Sequence, residues 1–421
     1  MVSTFHGLEL GKRGLMAGQA SIATTGHNMA NANTKGYSRQ QVNATTSASL
    51  DIWTSGQINP GQLGSGVSID SITRVRDRFL DHQYRDQSGT LGEWSVKQET
   101  LDRLETIINE PSETGLQSAM DQLWGAFQDL TNDPGSLSAK VVIKERAQEF
   151  VETAQAINRS MTYLNDSLTN QIAEKVSEAN GYLSQIAQLN ESIKRSGTQA
   201  NDLLDKRDVL VEELSKMVAI NVSEQPNGIY NISLKSDSTN TPLTQIDIPT
   251  ADDGGELFGG ELSGLIQSKE IVNAYQENFS TVVTDFVVAS EMSGTDDNPG
   301  VNLFAGDGID SLAVNPVLDE NIDLIAPFSS FDENNYESVK KDFRSIVSKL
   351  GAESQAAINF NANYEAALQA TDNRRQSMTG ISLDEEMVNL VKYQHSYNAA
   401  ARMISTVDQM LDTIINRMAA R

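Results

Sequence analysis

The stretch that decides the fold is residues 383–418, which read LDEEMVNLVKYQHSYNAAARMISTVDQMLDTIINRM. From Leu383 onward, apolar or aromatic residues recur at alternating steps of four and three, and Gln394 and Asp408 are the two exceptions. This heptad spacing gives a helix one apolar stripe, which is typical of helices that pack lengthwise against a partner. The predicted seam positions are Leu383, Met387, Leu390, Gln394, Tyr397, Ala401, Ile404, Asp408, Leu411, Ile415 and Met418.

A matching stripe occurs at the other end of the chain, where four apolar residues recur every seven positions. They are Leu8, Leu15, Ile22 and Met29. Neither terminal helix can bury its stripe alone, so we expect the two to pair as a coiled coil with each other or with neighbouring copies. The N-terminal helix also contains glycines, each of which costs about 1 kcal/mol relative to alanine and makes a partner necessary. They are Gly7, Gly11, Gly14 and Gly18.

The middle of the chain predicts a helical bundle around one long helix. From about residue 140 to residue 195 the apolar positions keep the four and three rhythm, apart from a stutter at Leu168, Ile172 and Val176. At about 1.5 Å per residue this helix would be roughly 80 Å long, so we expect an elongated bundle. A return helix should follow residue 201, and the glycine-rich stretch 41–75 predicts an extended loop or hairpin.

Acidic residues are concentrated inside the chain. The 421 residues include 57 Asp or Glu and 32 Lys or Arg, a net charge of −25, and residues 241–330 alone hold sixteen acidic residues and one lysine. Short alternating runs with glycine and aspartate turns predict strands between residues 220 and 325, with one helix near 271–288. We therefore interpret residues 221–330 as an inserted, acidic, β-rich outer domain.

These patterns predict a mainly α protein with an inserted β-rich domain. Three parts are expected: a terminal coiled-coil unit (1–40 with 381–421), a helical bundle (41–220 with 331–380) and the outer domain (221–330).

Composition argues against several function classes. The chain has no cysteine, which excludes disulfides and thiol chemistry. Its pI near 4.5 disfavours nucleic acid and anionic membranes as partners. No window approaches 18 uncharged apolar residues, and Lys12 and Arg13 fall where a secretory leader would be apolar. We expect no membrane insertion, and export without a cleaved leader if the protein leaves the cytosol.

Candidate chemistry is sparse, and we expect neither catalysis nor a cofactor or metal. No catalytic or phosphate-binding motif is present, and the four histidines lie far apart. Asp296 and Asp297 invite a calcium interpretation, but the spacing of a calcium loop is missing and a simple acidic turn is the expected alternative. Asp202, Asp205 and Asp208 alternate with basic residues, which favours an ion-paired helix surface.

Two stretches resemble the bacterial flagellar axial proteins, and each lies at the corresponding end of the chain. Residues 26–40 read GHNMANANTKGYSRQ, similar to that family's N-terminal signature, in which a helix ends in an Asn-rich turn. Residues 380–411, from Gly380-Ile381-Ser382 onward, are similar to its C-terminal helix. Asparagine and glycine tolerate the left-handed conformation that ends a helix, and Tyr37 can anchor the departing chain. The motif residues that the resemblance carries over are Asn31, Asn33, Gly36 and Tyr37.

Within that family, residues 201–208 (NDLLDKRD) are similar to a component at the junction of hook and filament. The resemblance implies a structural protein outside the cell, in a ring of its own copies, between hook protein and hook-associated protein 3. It also implies export by the flagellar type III apparatus and a dedicated chaperone on the C-terminal helix.

Other interpretations stay open on the residues alone. The chain could be another axial component, hook-associated protein 3 or hook protein. An acidic, calcium-dependent surface adhesin on a coiled-coil stalk is the alternative from a different class, and an enzyme is the weakest.

Overall fold

The computed structural model describes residues 5–52, 61–197, 199–236, 241–248, 259–290, 301–325 and 333–414. In chain order the helices and strands are α1 (His6–Ala30), β1 (Gln40–Thr46), β2 (Leu50–Ile52), β3 (Gly61–Leu63), β4 (Val67–Arg74), α2 (Arg78–Ile108), α3 (Leu116–Asn132), α4 (Leu137–Ser196), α5 (Asn201–Met217), β5 (Ile220–Glu224), β6 (Tyr230–Leu234), α6 (Gly260–Ala289), β7 (Phe304–Ala305), β8 (Ala313–Val314), α7 (Val317–Glu320), α8 (Glu333–Thr379) and α9 (Leu383–Asp412). The described part is mainly helical, as the sequence predicts.

The predicted long helix is confirmed as α4, whose 60 residues begin behind the N-cap Ser136 and end before Gly197. The apolar positions of the heptad pattern are all buried, including Leu168, Ile172 and Val176 at the stutter. At about 1.5 Å per residue α4 spans roughly 90 Å. It packs against α3, α5 and α6, so this one helix contacts three other helices of the bundle.

One hydrophobic core joins the helices of the bundle. Helix α2 packs against α8 and α6, and Phe150 of α4 contacts Phe286 of α6 with ring centroids 4.6 Å apart. Phe279 and Phe343, on α6 and α8, are fully buried in the same core. Burial of such aromatic side chains contributes several kcal/mol of hydrophobic stabilisation.

The expected β-rich character of residues 221–330 is not confirmed. Helix α6 begins at Gly260, eleven residues before the predicted start, and packs into the bundle against α2, α4 and α8. In the described part of this range, the strands are β6, the end of β5 and the two-residue pair β7 and β8. The apolar residues of α6 recur at helical spacing and contribute to the main core, which outweighs the glycine and acidic residues that suggested strands.

Helix α1 lies between α9 and a β-hairpin. Gly7 is next to Val407 and Gly18 is next to Tyr397, so α1 and α9 run antiparallel. The hairpin pairs β1 with β4 and runs back along α1, with its start near Asn28 and Gly66 near Leu10. The hairpin predicted for residues 41–75 is thus present in their described part, and it covers a second face of α1.

Candidate functional site

Glycines form the face of α1 that lies against α9. Gly11 and Gly18 are buried, and a Cβ atom added to Gly11 would lie 2.7 Å from Cγ1 of Ile404. A Cβ on Gly18 would lie 3.3 Å from the Cα of Tyr397. The glycines therefore let the two backbones approach closely, which compensates for their poor helix propensity.

Gly11→Ala is expected to loosen the contact between α1 and α9, whereas Gly26→Ala is expected to strengthen α1. Both changes gain about 1 kcal/mol of helix propensity. At Gly11 the new methyl group collides with Ile404, at a cost of about 1–3 kcal/mol, while nothing lies within 4 Å of a Cβ on Gly26. Amide hydrogen exchange of α9 measures the difference. Equal protection of α9 in the two variants would contradict the close approach.

The predicted seam residues lie beside the glycine face. On α1, Leu8, Leu15, Ile22 and Met29 are half-buried. On α9, Leu390, Tyr397, Ile404 and Leu411 are half-buried, Leu383 is 49% exposed, and Met418 lies outside the described residues. Their role in a coiled-coil assembly stays a prediction.

Several large apolar side chains of the two terminal helices face solvent. Near the start of α9 the exposed residues are Leu383, Met387, Val388 and Val391; Met410 is exposed near its end, and Met16 on α1. Contiguous exposed apolar residues on a helix are typical of a contact with another protein.

Asn28 is the centre of the Asn-rich turn. Its side chain is 1% exposed, and its Nδ2 donates hydrogen bonds to the carbonyl oxygen of Gln40 (2.9 Å) and to Oε2 of Glu386 (3.1 Å). Its Oδ1 accepts from the Tyr37 hydroxyl (2.9 Å) and from the Gln40 backbone N–H (3.0 Å). These four bonds use the full capacity of the amide and join α1, β1 and α9.

Glu386 is the acidic member of this group, which we call the Asn28 cluster: Asn28, Tyr37, Arg39, Gln40 and Glu386. The Glu386 side chain is buried, and its Oε1 accepts from Nε of Arg39 at 2.9 Å. Burial, followed by nearby carboxylates, raises the pKa of Tyr37, so its hydroxyl stays a donor to Asn28.

The other motif residues of the turn have distinct roles. Asn31 donates a side-chain hydrogen bond to the carbonyl oxygen of His27 (3.0 Å), which closes the end of α1. Gly36 adopts a left-handed φ of 78° against Val209 of α5. Asn33 is exposed.

The hairpin packs against helix α5 and is held there by carboxylates of α5. The sequence predicted that these carboxylates belong to an ion-paired helix surface. Asp205 and Asp208 are instead buried. Asp205 accepts from the backbone N–H (3.0 Å) and hydroxyl (2.8 Å) of Ser38 and from Nη1 of Arg74 (2.8 Å). Asp208 accepts from Arg74 (2.6 Å) and from Arg76. The partners come from a distant segment rather than from the adjacent Lys206 and Arg207.

Arg207 is also fully buried and supports α5 from the opposite side. Its Nη1 donates to Oδ1 of Asn190 (2.9 Å) and to the carbonyl oxygen of Gly228 (2.6 Å), and its guanidinium lies 3.4 Å from the ring centroid of Tyr230. Burial lowers the pKa of Arg207. The motif NDLLDKRD thus connects three layers: the hairpin, α4 and the β5–β6 pair.

Two carboxylates of α5 have pKa shifts of opposite sign. Burial alone would raise the pKa of Asp208, but Arg76 and Arg74 outweigh it and hold this pKa below its usual value. Burial raises the pKa of Glu212 despite the opposing effect of Arg375 and Arg76. Arg74 and Arg76 therefore stabilise the ionised form of the Asp208 carboxylate.

Asn28, Glu386, Arg74 and Arg76 were not among the predicted site residues. Asn28 and Glu386 lie inside the two motif stretches, so the motifs pointed to the region but not to these side chains. A buried carboxylate in the run Asp384-Glu385-Glu386 is not distinguishable by sequence from its exposed neighbours.

The described residues hold no group of three or more histidine, aspartate or glutamate side chains placed to bind a metal ion. Asp296 and Asp297, considered for calcium, lie outside the described residues. Among the described helices, none has the length and apolarity that a membrane crossing needs.

Comparison with known proteins places the chain among the bacterial flagellar axial proteins, as its two terminal motifs suggested. Residues 101–304 match the family model "Flagellar hook-associated protein FlgK helical domain", and residues 373–418 match "Flagellar basal body rod FlgEFG protein C-terminal". Within that class, the chain is similar to flagellar hook-associated protein 1.

Individual relatives match over nearly the whole chain. Flagellar hook-associated protein 1 of Bacillus subtilis is 29% identical over 99% of this chain and 99% of its own length. The Escherichia coli protein of the same name is 23% identical over 96% and 98%. The solved hook junction protein FlgK of Burkholderia pseudomallei, 23% identical, aligns with 53% of this chain and 46% of its own, at a TM-score of 0.47.

Proposed function

We propose that this flagellar axial protein is a structural junction protein that assembles as a ring between hook and filament and is needed for filament attachment. The observation that carries the proposal is the exposed apolar surface of the paired terminal helices, at Met387, Val388 and Val391 on α9 and at Met16 on α1. Neighbouring copies would bury this surface, which includes Met387 of the heptad stripe and continues beyond the stripe to the other three residues.

The partners follow from this position. Hook protein would lie on one side of the ring and hook-associated protein 3 on the other, with residues 1–40 and 381–421 as the assembly unit. Before assembly the same apolar side chains are an aggregation hazard, so an export chaperone would cover α9. The chain would reach the exterior through the flagellar export apparatus.

Antibody labelling of isolated hook and basal-body particles, viewed by electron microscopy, tests the proposal. We expect label confined to the distal end of the hook, between hook and filament. Label along the whole hook would support the alternative of a hook protein, and label only at the base of the filament would support hook-associated protein 3. Label on the cell surface away from flagella would contradict an axial role and favour the adhesin.

A further inference from the structure

Most contacts between α1 and α9 are interchangeable along the helices. Gly7 is next to Val407 and Gly14 is next to Ala400, so partner numbers fall by seven on α9 as they rise by seven on α1. If α9 moved by one heptad, each of these glycines would again meet an alanine, an aliphatic side chain or a tyrosine, as they do now. Such uniform packing specifies the register of two helices only weakly, whereas a buried polar contact can specify it strongly.

Asn28 and Glu386 occupy a later position of the same series, and their contact is chemically distinct. Glu386 is 2% exposed, and both of its carboxylate oxygens are used, one by Asn28 and one by Arg39. After a shift of one heptad, Glu386 would lie beside Ser21 or beyond the end of α1. In neither position would it meet Asn28, and a buried carboxylate without its partners is strongly unfavourable.

We infer that Glu386 is the register-determining residue of the terminal helix pair. Its bonds to Asn28 and Arg39 fix the first turn of α9 at one position on α1, and the interchangeable glycine contacts follow from that position. The inference concerns a single chain and does not depend on the proposed ring.

The short connection between α8 and α9, residues 380–382, is a competing way to fix the register. Arg39 N–H donates to the carbonyl oxygen of Thr379 at 3.3 Å, so the α8 end of this connection is held near the turn. A decisive experiment must therefore release the connection. Four extra Gly and Ser residues between Gly380 and Ile381 add about 13 Å of extended chain, more than the roughly 10 Å of a one-heptad shift.

Engineered disulfides can report the register because the chain has no cysteine. A Cβ on Gly14 would lie 3.4 Å from the Cβ of Ala400, close to the separation a disulfide needs, so G14C/A400C reports the native register. G14C/Y393C and G14C/V407C report shifts of one heptad in the two directions. Each pair is made in the full chain with the four-residue insertion, alone or with Glu386→Leu. Glu385→Leu, an exposed neighbour, is the matched control.

With the insertion alone, and with Glu385→Leu, we expect intramolecular crosslinking of the native pair and less than one tenth as much of either shifted pair. Glu386→Leu should raise the ratio of shifted to native crosslink at least tenfold, because leucine keeps the apolar packing and removes the polar partner. Non-reducing electrophoresis separates intramolecular from intermolecular products.

Three results would overturn the inference. Shifted crosslinks with the insertion alone would show that the connection sets the register. A purely native pattern in Glu386→Leu would show that the packing sets it. Loss of all crosslinks in Glu386→Leu would show that Glu386 is needed for pairing itself. Asn28→Leu provides a second variant, which should shift the register in the same way.

Discussion

Asp208→Asn should lower the free energy of unfolding by about 3 kcal/mol, the low end of the range for breaking a buried ion pair. Arg74 and Arg76 both donate to Oδ2 of Asp208, and the three side chains are only 8–14% exposed. Loss of the carboxylate charge leaves the positive charges of two nearly buried arginines less well neutralised. The loss stays below the upper end of the range because Arg74 keeps its ion pair with Asp205 and Arg76 keeps its ion pair with Asp81.

Equilibrium denaturation of the full chain measures this loss, and Asp86→Asn is the matched control. Asp86 pairs with Lys235, but its side chain is 58% exposed, so its loss should cost less than about 1 kcal/mol. Equal destabilisation by the two substitutions would show that the buried ion pairs of Asp208 contribute no more stability than an exposed ion pair.

The same substitution should flatten the pH dependence of stability. Because the pKa of Asp208 is lower in the folded chain than in the unfolded one, it contributes stability above the unfolded value of about 4. That contribution disappears as the pH falls through the lower folded value. The raised pKa of Glu212 has the opposite effect on the pH dependence of stability, and it has this effect both in the natural chain and in Asp208→Asn. We therefore expect the difference between the natural chain and Asp208→Asn to shrink on acidification below about pH 4.

Gly36→Ala should destabilise the chain by about 2–5 kcal/mol. The φ of 78° costs a residue with a side chain about 1–2 kcal/mol. The new Cβ would also overlap Cγ2 of Val209, and overpacking of this kind typically costs about 1–3 kcal/mol. Denaturation of the full chain again gives the magnitude.

The double variant G36A/V209A separates the two effects, because Val209→Ala removes the overlap and leaves only the backbone cost. In the Val209→Ala background, Gly36→Ala should therefore cost only about 1–2 kcal/mol. If Gly36→Ala costs the same with Val209 as without it, the turn does not press against α5 as the structure shows.

The long helix was predictable because its signal is local. The positions Ile143, Phe150 and Ile157 follow the repeat of a single helix, and all are buried in α4. By contrast, the start of α6 at Gly260 was missed, because glycine and acidic residues around it resemble turns and strands. Contacts with α2 and α8, far away in sequence, decide in favour of the helix.

In the terminal helices too, the sequence pattern located the contact but not all of the residues that form it. The heptad pattern placed Leu390, Tyr397 and Ile404 close to the contact with α1, but it placed Leu383 and Met387 there as well, and these are exposed. The contact uses Glu386 instead, because Asn28 and Arg39 offer it hydrogen bonds that no leucine could use.

By itself the sequence determined that this protein is mainly helical, carries a long central helix over about residues 140–195 and has family motifs at both ends. Those features follow from periodicity and spacing, which act between residues a few positions apart. Only the tertiary structure decided that Asn28 meets Glu386 and that Asp208 neutralises Arg74 and Arg76. Such pairs join residues more than a hundred positions apart, and their energy depends on burial and distance, which exist only once the chain has folded.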